Sequence, residues 1–147
     1  MKLRPFVLAA SLATVSACVT APANGAALQQ TASLMVSIGQ HGEGMSAADI
    51  ADLSTQLDET VSASPNDPYI LKLAAQSRRA LSDYSQDRAQ RVALRHTALA
   101  ELDKAIALAG PTDPPRKVMI NGMESEVDLK DLADLRASLF HQVTTDR

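Results

Sequence analysis

Ser64-Pro65-Asn66-Asp67-Pro68 is the stretch on which the reading of the fold turns. A helix arriving from upstream stops here, because Pro65 has no N–H to continue the ladder. Asp67 followed by Pro68 then starts the next helix, since an acceptor side chain suits the N-cap and proline suits the first helical position. Upstream, Ile50, Leu53, Leu57 and Val61 step by three, four and four and so form one narrow apolar stripe. Ser46-Ala47-Ala48-Asp49 begins that helix with the spacing of a capping box. Downstream, 41 residues separate Pro68 from Gly110 without another Gly or Pro, and Ile70, Leu73, Ala74, Leu81 and Tyr84 mark one face of the first part. One continuous helix fits this span. A break at residues 82–87 fits better, because the segment is polar and Asp87-Arg88-Ala89-Gln90 repeats the capping pattern.

Further outward, the second half of the span predicts a helix to about Ala109 with Leu99, Leu102 and Ile106 inward, ended by Gly110-Pro111. Residues 118–127 offer a two-residue Asn121-Gly122 hairpin turn. A lone hairpin is marginal in water, so this segment either packs on helices or is a loop. Asp128 is the expected cap of a last helix whose Leu129, Leu132, Leu135 and Leu139 face the core. Near the other end, Leu28, Met35 and Ile38 recur at helical spacing until the Gly42-Glu43-Gly44 break, while small residues with Pro22 and Gly25 make residues 18–27 read as a flexible tether. The expectation is an all-α domain over residues 28–147: a small antiparallel helical bundle or a set of helical hairpins, with room for one short β-hairpin near residues 118–127.

Composition narrows the function classes. The chain has 147 residues, 46% apolar and 21% charged, at a net charge of −3, which suits one small globular domain. Aromatics are only Phe6, Phe140, Tyr69 and Tyr84, too few to build base-stacking or sugar-stacking sites, and the mild acidity opposes phosphate-backbone binding. Nucleic acid is therefore not an expected partner.

Lys2 and Arg4 precede an unbroken apolar or small-residue run from Phe6 to Ala17, the layout of an export signal. Twelve residues of helix rise roughly 18 Å, short of the ~30 Å hydrocarbon core, so the run is too short to span a bilayer. Val15-Ser16-Ala17-Cys18 directly after it resembles the lipobox of bacterial lipoproteins. That resemblance implies removal of residues 1–17, a diacylglyceryl group on the Cys18 thiol, often an acyl chain on the freed amine, and hence a membrane partner reached through the lipid. Val19 stands where inner-membrane retention often uses Asp, so the resemblance implies the outer membrane, facing the periplasm. The alternative is an ordinary secreted, soluble periplasmic protein cut after Ala23 of Ala21-Pro22-Ala23. Cys18 is the only cysteine and has no internal disulfide partner, which acylation would explain. Two or three acyl chains anchor stably where one does so marginally. Without residues 1–17, Lys+Arg falls from 14 to 12 against 17 Asp+Glu, a net of −5.

Within the helical part, Leu53, Leu57 and the 64–68 turn resemble the end of a tetratricopeptide-like repeat, with Leu71, Ala74 and Ala75 where a next repeat begins and Ala98, Leu102 and Ala105 in its second helix. The sequence departs from that pattern: Pro65 and Pro111 are 46 apart, Leu71 and Arg78 hold the Trp and Tyr positions, and one full unit is present.

No catalytic motif emerges. His41, His96 and His141 are scattered and none sits in a two-His zinc spacing. His41-Gly42-Glu43 matches the H-x-E of zinc deaminases without their P-C-x-x-C. Nucleophile elbow and phosphate loop are absent, and Met119 and Met123 read as hairpin packing rather than metal ligands. No cofactor is expected. Charge is unevenly spread: residues 43–67 hold six acids (Glu43, Asp49, Asp52, Asp58, Glu59, Asp67) and no Lys or Arg, whereas residues 78–95 hold five Arg against Asp83 and Asp87. The plain reading pairs these two segments across a helical interface. The sharper reading takes Arg88, Arg91 and Arg95, spaced by three and four, as a docking stripe for an acidic partner or lipid headgroups.

The function expected from these features is a lipid-anchored helical module that docks another envelope protein and catalyses nothing. A small periplasmic enzyme or ligand-binding protein, built from His41, Met45 and the hairpin loop, is the alternative, and a structural envelope lipoprotein a third. If the lipobox is used, metabolic labelling with a tagged fatty acid marks the wild-type protein and spares Cys18→Ser; an intact mass beginning at Asn24 would establish the soluble alternative.

Overall fold

In the computed structural model, which describes residues 23–145, the chain turns sharply at residues 64–67, as the two prolines dictate. The helix before the turn, α2 (Ala47–Ala63), carries the full capping box: the Ser46 hydroxyl accepts from the Asp49 amide, and the Asp49 carboxylate accepts from the Ser46 amide. The helix after it, α3 (Pro68–Tyr84), is capped by Asp67, whose carboxylate accepts from the Tyr69 and Ile70 amides. The expected interruption follows. Ser85 closes α3, and Asp87 opens α4 (Arg88–Leu108) by accepting from the Ala89 and Gln90 amides at 2.8 and 3.2 Å. Gln90 does not complete a capping box; its amide instead accepts from Ser85 and donates to the Ala47 carbonyl, tying the start of α4 to the start of α2.

The remaining elements are α1 (Ala23–His41), the antiparallel pair β1 (Arg116–Ile120) and β2 (Met123–Val127), and α5 (Leu132–Thr145), so the fold is an all-α bundle with one short β-hairpin. Cys18 and the lipobox lie outside the described residues. α1 starts within the span read as a tether: residues 23–27 are helical, Ala being the best helix former, and Ala27 and Leu28 are buried against Tyr69, Ile70, Val118 and Val127.

α3 lies at the centre. Twelve of its 17 residues are buried, because α1 and α2 pack on one side and α4 on the other. Ile70 packs with Ala27, Leu28 and Ala32 of α1, and Ala74 and Leu81 pack with Leu34 and Ile38 of α1 and Ile50 and Leu57 of α2. Leu71 and Ala75 face Ala98, Leu102 and Ala105 of α4, together with Leu132 and Leu139 of α5. These alanines let α3 and α4 approach closely and set the rotation of α4. Ile106, expected inward, is consequently turned out and 38% exposed, and Leu99 is only half-buried.

The hairpin turns on Asn121 and Gly122, both at positive φ (52° and 79°), the requirement of a tight two-residue turn. Val118 and Val127 point into the core and make the hairpin stable by packing it on α1 and α3. Gln29 of α1 caps its edge, donating to the Met119 carbonyl and accepting from the Met119 amide. Met119 and Met123 do not pack as expected; they are 49% and 68% exposed, the inward positions being taken by the two valines.

Asp128 is not the cap of the last helix. Its carboxylate accepts from the Lys130 amide in a local turn, and the first helical bond of α5 runs from the Leu135 amide to the Asp131 carbonyl, which makes Asp131 the cap position. The physical reason lies in α3: buried Lys72 donates to the Asp128 carbonyl and pairs with the Asp131 carboxylate, holding residues 128–131 as a turn.

Because the Asp87 carboxylate satisfies two otherwise free amides, Asp87→Ala should lower the unfolding free energy by about 0.5–2 kcal/mol in denaturant titration. The same substitution in a continuous helix would be neutral or stabilising.

Candidate binding cleft

A hollow lies between the second half of α1 and the first half of α2. It is an open cleft of about 500 Å³, floored by Leu34, Met45 and Leu53 and rimmed by His41, Glu43, Asp49 and Asp52, with Ser37 and Gln56 completing the wall. Its shape follows from the connection between the helices. Gly42 and Gly44 adopt φ of 49° and 110°, conformations that side chains resist, so the chain reverses within a few residues and splays the two helices apart at this end. α2 is held less deeply than its neighbour: only Ile50, Leu57 and Thr60 of its 17 residues are buried.

The rim carries three carboxylates and one imidazole. Asp49 is held below the usual carboxylate range, first by the Ser46 hydroxyl, then by the Ser46 amide, with His41 assisting by its charge. Asp49 is thus committed to the cap of α2. Glu43 and Asp52 have no ion-pair partner among the described residues. His41 is placed by its own helix: its Nδ1 lies 2.7 Å from the Ser37 carbonyl oxygen. A carbonyl oxygen only accepts, so Nδ1 carries a proton. The Ser37 hydroxyl, 3.5 Å from that same Nδ1, therefore faces a donor rather than a base. His41 and Ser37 do not form a nucleophile and base pair.

The cleft brings together two members of the constellation read from sequence, His41 and Met45, and leaves out the hairpin, whose Met119 and Asn121 line a separate shallow groove across Ser33 and Ser37. His96 and His141 are exposed on α4 and α5, away from the cleft. Among the described residues, no group of three His, Cys, Asp or Glu side chains is arranged to hold a metal ion.

The arginine stripe of α4 is largely engaged within the chain. Arg95 is buried, donating from Nε to the Ser82 hydroxyl and from Nη2 to Asp83 at 3.0 Å, and Arg91 donates to the Ser85 carbonyl. Both therefore staple the end of α3 to the start of α4. Arg88 is exposed on the first turn and also has an interaction within the chain. The acidic and basic segments do meet, at one place: Arg78 pairs with Asp58 across α3 and α2.

That contact belongs to a buried cluster that the sequence reading did not identify. Arg78, 2% exposed, donates Nε to Glu101 of α4 at 2.9 Å, and Nη1 to the Ser54 hydroxyl of α2 at 2.8 Å. One guanidinium thus serves two carboxylates, and Oε2 of Glu101 is buried with no hydrogen-bond partner. Burial pushes the Glu101 carboxyl up to about 7, against the pull of Arg78 and with a smaller push from Asp58. The signal was present: Arg78 follows Ala74 by four and Glu101 follows Ala98 by three, so each charge interrupts the apolar stripe of its helix.

No family model, curated protein or solved structure matches the chain.

A carboxyl whose folded-state value lies above its unfolded one binds protons preferentially in the folded state, so its contribution is complete below about pH 4.5 and is lost as pH rises through about 7. The unfolding free energy should therefore carry a decline between pH 5 and 8, of up to roughly 3 kcal/mol, that Glu101→Gln removes. An unaltered pH profile in the variant would show that Glu101 is ionised throughout.

Proposed function

We propose that this protein is a lipid-anchored recognition module of the bacterial envelope, tethered through Cys18 to the outer membrane and docking another envelope protein in the α1–α2 cleft. The observation that carries the docking part is the cleft itself: an apolar floor within a polar rim, open to solvent, with its single imidazole tied down at Nδ1. Recognition surfaces combine a small apolar centre with a charged rim in this way. Acyl transfer requires a hydroxyl facing a basic nitrogen, and Ser37 faces a protonated one. Engagement of Arg91 and Arg95 within the chain moves the proposed contact from the arginine stripe to the cleft.

The anchor and the cleft work together. The lipobox resemblance rests on Val15-Ser16-Ala17-Cys18, and four residues separate Cys18 from Ala23, where α1 begins. Fully extended, the five steps from Cys18 to Ala23 reach about 18 Å, so the anchor holds the domain close to the bilayer surface, where it meets partners confined to that layer. No helix among the described residues is long and apolar enough to cross a membrane.

A photocrosslinking residue at Gln56, on the cleft rim, should give one discrete adduct in living cells, and the same residue at Ala137 on the exposed face of α5 should give none. Cys18→Ser should move the protein from the membrane to the soluble fraction and remove the adduct. Equal labelling from both positions would reject the cleft as the contact, and retention of Cys18→Ser in the membrane fraction would reject the anchor.

A further inference from the structure

The rim of the α1–α2 cleft specifies the chemistry of what enters it. Of the six acids between residues 43 and 67, Asp58 is spent on Arg78, Asp67 on Arg116, and Asp49 on the cap of α2. Glu43, Asp52 and Glu59 remain, all exposed and without an ion-pair partner among the described residues, and of these Glu43 and Asp52 lie on the cleft. No Lys or Arg occurs from residue 43 to residue 67, so the segment that makes one wall of the cleft supplies no cation of its own. Arg78 is held in the core, Arg91 and Arg95 at the α3–α4 corner, Lys72 on Asp131 and Arg136 on Asp103. Between the two open carboxylates the surface is apolar, through Leu34, Met45 and Leu53.

Resting on the reading of the cleft as a docking site, we infer that its occupant is a basic segment of the partner protein, in which an apolar side chain lies on Leu34, Met45 and Leu53 while flanking Lys or Arg groups meet Glu43 and Asp52. Charge complementarity selects the sign, because a like-charged partner would be repelled by the rim and a neutral one would leave two carboxylates desolvated. The floor selects for an apolar side chain between the cations, and Met45, unbranched and polarizable, accommodates side chains of differing shape. A peptide segment suits the cleft better than a small enclosed ligand, because the hollow is open along the helices rather than closed over.

The test uses the protein purified as its host makes it, in an uncharged detergent, and a fluorescein-labelled peptide of ten alternating Lys and Leu residues as probe. Anisotropy should show saturable binding, about tenfold weaker in the Glu43→Gln/Asp52→Asn double variant and progressively weaker as salt is raised. Both substituted residues are exposed and have no ion-pair partner among the described residues, so the variant should keep the wild-type circular-dichroism spectrum and melting temperature. The Met45 methyl resonance should shift on adding peptide. The same peptide with Glu in place of Lys should not bind. Unchanged binding by the double variant, or equal binding of the acidic peptide, would overturn the inference. So would spermidine alone displacing the peptide and moving the Met45 resonance at comparable concentration, which would make the cleft a small-cation site. Failure of these peptide measurements while the Gln56 adduct persists leaves docking in place and removes only its basic specificity; loss of the adduct as well removes the docking reading.

Discussion

One guanidinium organises the core. Arg78 is buried to 2% exposure at the meeting of α2, α3 and α4, and its nitrogens reach Asp58, Ser54 and Glu101, so each neighbouring helix contributes an acceptor. A charge taken out of water is tolerable only when its hydrogen-bonding capacity is filled, and this geometry allows few helix placements. Truncating Arg78 would strand Glu101, already holding one unsatisfied oxygen, which is why the cluster acts on all three helices at once. Lys72, one and a half turns earlier on α3, repeats the device toward α5 by holding the turn at residues 128–131. The central helix therefore carries buried cations as well as apolar residues, and its neighbours are oriented by charge as much as by packing.

That arrangement divides the molecule into a firmly held part and a lightly held one. α3, α4 and α5 pack through small residues, with Ala75, Ala98 and Ala105 allowing close approach. α2 presents only three buried residues and leans on α1 and α3 by a narrow stripe, which leaves a hollow on its α1 flank. Its capping box and the positive-φ glycines before it define where it starts, so the cleft is bordered by backbone that is well specified even though the helix buries little. Binding surfaces placed on such elements combine a fixed outline with access to solvent.

Charge illustrates how local spacing misleads. Arg88, Arg91 and Arg95 share a helical face by their spacing of three and four, and on an isolated helix they would form a basic stripe. In the folded chain the break at residues 85–87 folds the end of α3 back beside that face, so Ser82, Asp83 and Ser85 become acceptors for Arg95 and Arg91. The cleft carboxylates Glu43 and Asp52 keep no ion-pair partner among the described residues, while Arg78, Arg91 and Arg95 are engaged elsewhere in the fold.

Local chemistry alone determined the punctuation of this protein. The caps at Ser46, Asp67 and Asp87, the stop at Pro65, the Asn121-Gly122 turn and the stripe Ile50, Leu53, Leu57, Val61 are legible because each depends on residues within one or two turns of each other. Tertiary structure decided what depends on neighbours distant in sequence. Lys72 moved the start of α5 from Asp128 to Asp131, close alanine packing rotated Ile106 outward, and Val118 with Val127 left Met119 and Met123 exposed. The union of Arg78 with Glu101, 23 residues apart, and the hollow between α1 and α2 belong to the same class, because a buried pair and a cleft are properties of helices placed side by side. Apolar periodicity specifies which face of a helix is covered; only the packed neighbours specify by what.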